Sequence, residues 1–114
     1  MTFVAKLIET AAADTDVLRE LDQNGDEFSK FRQVDFLVVA PSPDKALAIR
    51  DFINDFSYGK ASVSDLNDSC SVHVAIDMPV QQSIILCVSG FMACVAQLFG
   101  AELDGWECPV RKRT

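Results

Sequence analysis

Between Pro79 and Ala101 the chain carries no charged side chain, and residues 83–99 read SIILCVSGFMACVAQLF. A helix that covers a sheet buries one stripe and offers charge to water on the other; this stretch has no such second face. A membrane span needs about 20 apolar residues, but Gln81, Gln82, Ser83, Ser89 and Gln97 interrupt the run and no basic residues flank it closely. The segment is therefore expected to be a buried helix over roughly residues 80–99. Ile84, Val88, Phe91, Val95, Leu98 and Phe99 make one broad apolar side, widened by Ile85, Met92, Cys87 and Cys94. Its outer face is expected to lie against something: the N-terminal helix first, then a second subunit or a partner protein.

The rest of the chain supplies a sheet for that helix to cover. Val4, Leu7, Ile8, Ala11, Val17, Leu18 and Leu21 fall at three- and four-residue spacings, which predicts a helix over residues 3–23 stopped by Asn24-Gly25. Phe28 and Phe31 are expected anchors of the connection that follows. VDFLVVA, residues 34–40, is a short β-branched run typical of a central strand. Ser42, Pro43 and Asp44 then suit the N-cap and first turn of a helix with Ala46, Ile49, Phe52, Ile53 and Phe56 on one face. Residues 61–66 and 70–78 bracket the turn-forming Asn67-Asp68-Ser69 and predict a hairpin. The order, a helix and then β-α-β-β-α-β, predicts an α+β fold: a ferredoxin-like βαββαβ antiparallel sheet with an extra N-terminal helix. One domain is expected over 1–114, with the N-terminal helix in 1–25 and the ferredoxin-like core in 34–110.

Composition narrows the function classes. With 17 acidic against 10 basic residues, the net charge is −7. That opposes sequence-independent binding to nucleic acid, whose phosphates need neutralising lysines and arginines. Cys70, Cys87, Cys94 and Cys108 form no CxxC pair, and one histidine is too little to complete a zinc cluster. Reduced, buried thiols and the absence of a secretory leader point to the cytoplasm, with no membrane contact. Asp22-Gln23-Asn24-Gly25-Asp26 resembles the opening of a calcium loop, but Glu27 stands where the turn glycine belongs and Gln33 where the bidentate glutamate belongs. His73 shares a strand face with Asp77 at about 13 Å, too far to touch. No motif for a nucleophile, a phosphate cradle or a metal appears, so no enzyme activity, cofactor or catalytic residue is expected.

One further stretch, FGAELDGWECPV, holds the only tryptophan. Strict alternation would put Trp106 on the side of Glu102 and Asp104, a poor setting for a large ring. A bulge at Asp104-Gly105 would shift the register and bury Leu103 and Trp106 together. Asp104 and Glu107 would then be free for a partner, and in a regular strand an exposed Trp106 would be the hot spot instead. Asp104, Trp106 and Glu107 are thus the candidate partner-binding residues.

The points Asn24-Gly25-Asp26, Arg32-Gln33-Val34, Ser42-Pro43-Asp44 and Glu102-Leu103-Asp104-Gly105-Trp106, spread over residues 18–110, resemble the family of the regulator of ribonuclease activity B, the ribonuclease E inhibitor. Gly25, Asp26, Arg32, Val34, Asp104, Gly105 and Trp106 carry the resemblance, and Leu103 stands where the family has an aromatic residue. The resemblance implies a ferredoxin-like fold and a protein that binds the basic scaffold region of a ribonuclease to inhibit RNA decay. The alternative is a homodimeric ferredoxin-like module that binds a small molecule or another protein.

Overall fold

The helices begin and end on local signals. The computed structural model of the chain describes residues 2–63 and 70–113. Helix α1, Phe3–Gln23, opens where the Thr2 hydroxyl accepts the Ala5 N–H at 3.1 Å. It ends at Asn24, and Gly25 follows at φ +80°, a conformation that costs a residue without Cβ nothing. In α2, Pro43–Asp55, the Ser42 hydroxyl accepts the Lys45 N–H at 3.2 Å and Asp44 sits at the positive end of the helix dipole. The uncharged run forms α3, Gln82–Leu98. Among the described residues no helix is long and apolar enough to cross a membrane.

Four strands complete the described chain: β1 Arg32–Val39, β2 Lys60–Val63, β3 Ser71–Met78 and β4 Glu102–Glu107. They make one antiparallel sheet in the order β2-β3-β1-β4, the order expected of a ferredoxin-like fold. The first hairpin strand was expected to run to Leu66; its second half and the turn at 67–69 lie outside the described residues. One side of the sheet is apolar. Val34, Phe36 and Val38 of β1 and Val72, Val74 and Met78 of β3 pack under Ile49 and Ile53 of α2 and Ile85, Met92 and Val95 of α3. Helix α2 covers β2 and β3, α3 covers β1 and β4, and α1 lies along α3 and reaches β4.

Several expectations need correction. The buried stripe of α3 is Ile85, Ser89, Met92, Val95 and Ala96, while Ile84, Phe91 and Leu98 face outward. Helix α1 does pack on α3, as expected, but along a flank, so the outward stripe stays open. Val4 and Ile8 lie at the free end of α1 and are exposed. Phe28 is half-buried against the core, whereas Phe31 points to solvent. The thiols are free, but Cys87 is exposed and the other three are half-buried.

β1 starts two residues before the apolar run because Arg32 belongs to it, with Met78 opposite. Its guanidinium closes a two-pronged pair on Asp26, at 2.7 and 3.0 Å. Both side chains are shielded from water. The remaining donors go to the carbonyls of Glu27, Lys30 and Pro109. Asp26 also accepts the Arg111 N–H at 3.0 Å, and Asp26 and Lys112 form a short antiparallel bridge. Burial works to raise the Asp26 carboxyl, but the Arg32 bonds and charge and the Arg111 N–H outweigh it and hold it below the usual carboxylate range.

A depressed aspartate stabilises the fold above its ordinary titration range and loses that effect as pH falls through the lowered value. Asp26→Ala leaves Arg32 buried without a counter-charge and is expected to lower the unfolding free energy by about 3 kcal/mol. Urea denaturation at neutral pH measures this. The gap to the wild-type protein should narrow in acid, where the wild type loses the same pair.

Candidate partner-binding surface

β4 is an edge strand, and it is not regular. Phe36 faces Trp106 and Val38 faces Leu103, so Leu37 alone is opposed by Asp104 and Gly105. Gly105 takes φ +104°, open to glycine and strained for any other residue. The extra residue turns Leu103 and Trp106 to the same, core-facing side. The expected bulge is present, and Trp106 is only 8 % exposed.

The indole of Trp106 reaches into α1, where its Nε1–H donates to Asp14 Oδ1 at 2.8 Å. Asp14 is 3 % exposed in a helix whose other acidic residues face water. Ser89 of α3 approaches from the third side. It acts on the carboxyl electrostatically, but neither Ser89 Oγ nor Asp14 Oδ2 has a partner of full hydrogen-bond geometry. Burial pushes the Asp14 carboxyl above the ordinary aspartate value, and the Ser89 and Trp106 donors offset part of that rise. In the protonated form Oδ2 becomes a donor, with the Ser89 hydroxyl as the acceptor at hand.

On the other side of the sheet the side chains are those that alternate with the core. Register places Gln33 beside Asp77, Asp35 beside Ala75, and Leu37 beside His73. Glu107 is directly opposite Asp35, and Glu102 opposite Val39. Asp35, Leu37, His73, Asp104, Gly105 and Glu107 line a shallow concavity of about 230 Å³. Lys60 of β2 stands on this face, and Lys6 of α1 reaches Glu102 from the side at 2.9 Å, drawing its pKa down. Asp104 and Glu107 are exposed and form no ion pair among the described residues. Asp35 and Glu107 thus bring two carboxylates to facing strand positions, with the Gln33 amide donating to Asp35 at 2.9 Å. That arrangement attracts cations. Among the described residues no three His, Cys, Asp or Glu side chains converge to hold a metal ion.

A larger cleft, about 620 Å³, opens between the α2–β2 turn and β3. Two of its polar side chains are occupied: Asn54 bonds both ways to the Ala61 backbone and Gln33 donates to Asp35. His73 and Asp77 share the open face, but Leu37 rather than Asp77 is the register neighbour of His73.

Of the three residues expected to meet a partner, Asp104 and Glu107 stand on the open face, and Trp106 stands behind them as the anchor of the bulge. The partner of that anchor, Asp14, falls on the apolar stripe of α1 between Ala11 and Leu18, a placement that could have marked it as buried. The Asp26–Arg32 pair belongs to the motif but looks from sequence like surface charge. The two groups of motif residues are physically joined. Cys108 and Pro109, next after the Asp-Gly-Trp stretch, both meet Arg32 Nη1, at 4.0 and 3.3 Å.

Fold and surface together define a ferredoxin-like protein whose sheet presents an acidic face on a tightly tied scaffold. The family model described as regulator of ribonuclease activity B matches residues 11–108, and the chain belongs to that family. No curated protein matches the chain significantly.

A raised aspartate favours the fold below its ordinary titration range and loses that contribution as pH rises through the raised value. Asp14→Asn keeps an acceptor for the indole without a buried charge. Its melting temperature, followed by circular dichroism, is expected to exceed the wild-type value at pH 8 and to approach it in acid. Asp14→Ala leaves the indole N–H without a partner and is expected to cost about 1–3 kcal/mol at either pH.

Proposed function

We propose that this chain is an acidic, protein-binding regulator of a ribonuclease, acting as one domain in the cytoplasm with no catalysis or cofactor of its own. Its partner is a basic segment of the ribonuclease scaffold. The observation that supports this reading is the open sheet face, where Asp35, Asp104 and Glu107 surround Leu37 and His73. Family membership supplies the class of target. The geometry supplies a reason for basic chemistry in the ligand: lysine or arginine side chains pair with the carboxylates gathered there, and Leu37 gives their methylene stems an apolar floor. Trp106 acts indirectly, holding the bulge that turns Asp104 and Gly105 toward that floor.

Titration of the purified chain with the scaffold region of the ribonuclease tests this. Binding is expected at low ionic strength and should weaken steeply with added salt, since exposed charges are screened within about 10 Å at 0.1 M. Asp104→Lys with Glu107→Lys is expected to weaken it at least tenfold, with unchanged Trp106 fluorescence showing that the bulge persists. No binding at low salt would sink the reading. Equal binding by the double variant would remove the sheet face from it.

A further inference from the structure

The outward side of α3 remains without a covering element. Cys87, Gly90, Phe91, Cys94 and Leu98 follow one another along it at helical spacing, and none carries charge. Cys87, Phe91 and Leu98 are exposed, Leu98 by 80 %. The apolar surface continues sideways: the Phe91 ring lies 4.7 Å from that of Tyr58, and Tyr58 lies 6.2 Å from Phe56, which is itself exposed. With Ile84 this amounts to on the order of 500 Å² of exposed apolar side chain, at the upper end of what a monomer leaves open. With a polar rim it approaches the roughly 800 Å² per partner of a stable interface.

Gly90 sharpens the picture. Glycine weakens a helix interior relative to alanine, so its presence there calls for a reason. Nothing within the chain gives one: a Cβ on Gly90 would meet no atom within 4 Å. A helix glycine on an exposed apolar stripe lets another backbone come close.

Two features select the occupant. The first is charge. Copies carrying −7 each repel wherever their acidic surfaces meet, but this face brings no charge to the contact and requires none to be stripped of water. The second is self-matching. A two-fold axis between Gly90 and Phe91, perpendicular to an antiparallel helix pair, sets Gly90 of each copy opposite Phe91 of the other, and Cys87 opposite Cys94. The gap at each glycine receives the other copy's ring, and the same contact is made twice, as an isologous interface requires.

We propose that α3 is the contact between two copies of this chain, packed antiparallel about that axis, with Gly90 at the close approach and Phe91 and Tyr58 at its flank. The arrangement leaves both acidic sheet faces pointing outward, and it does not depend on the identity of any other partner.

The test uses the purified full chain under reducing conditions. Sedimentation across a concentration series is expected to show a monomer–dimer equilibrium. Gly90→Glu, whose side chain enters open space in the single chain, is expected to keep its circular dichroism and weaken dimerisation at least tenfold. A short bismaleimide is expected to cross-link the wild-type dimer through Cys87 and Cys94, with the product lost in Cys87→Ser and in Cys94→Ser. A monomer at every concentration overturns the proposal. So does a dimer undiminished by Gly90→Glu, or a cross-linked product that persists in either serine variant.

Discussion

The Arg32–Asp26 pair fixes three parts of the chain that the sheet alone would leave loose. Asp26 lies just past α1, Arg32 is the first residue of β1, and the remaining partners, Pro109 and Arg111, follow β4. A buried guanidinium tolerates little slack, because any donor left unpaired loses its water without gaining a replacement. The entry of the central strand and the exit of the edge strand are therefore set by the same charge. Arg113 extends the tie, with its N–H on the Gly25 carbonyl and its guanidinium on Asp22. Cys108 lies against this cluster, where burial pushes its thiol up and the neighbouring guanidinium works the other way.

Inside that frame, the bulge solves a conflict between register and side-chain size. Six residues of β4 must bring a tryptophan to the core and keep three carboxylates out of it, and a two-residue period cannot do both. One extra residue at Asp104-Gly105 does. Trp106 then bonds to Asp14 across nearly the whole sequence, so the first helix and the last strand are held to each other through one buried carboxyl. Ser89 brings α3 to the same point. The first helix and the last helix and strand of the chain thus meet at a polar contact rather than a purely apolar one.

Much of this was legible in the sequence, because it was written in period and punctuation. The helix start at Ser42, the stop at Asn24-Gly25 and the alternation of β3 all act within a few residues. The bulge was legible for the same reason, since Asp-Gly beside a tryptophan poses a local conflict with one economical solution. What could not be read depends on distant partners. Asp14 interrupts the apolar stripe of α1, but nothing local names Trp106 as its partner, and Arg32 is an ordinary cation until Asp26 and Pro109 enclose it. The outward stripe of α3 was misassigned because an all-apolar helix has too little contrast for its buried side to be picked out by period alone. Only the sheet's curvature and the placement of α1 decide it. The acidic surface was legible as net charge, but its gathering around Leu37 needed the register of three strands.

Charge is therefore divided between the sheet face and α3. The open sheet face holds Asp35, Asp77, Asp104 and Glu107, while the helix farthest into the opposite layer, α3, holds none. A helix layer on a sheet is about 10 Å thick, comparable to the distance over which salt screens a charge at physiological strength, about 8 Å. At that strength the field of the sheet face fades before it reaches the outer side of α3, and the two surfaces behave nearly independently. At low salt they do not. The same reduction in ionic strength that draws a basic ligand to the sheet raises the repulsion between two acidic chains approaching through their helices. A basic ligand on the sheet lowers that repulsion in turn. The sorting of charge thus makes ionic strength the variable that sets how far the two faces of this small fold influence each other.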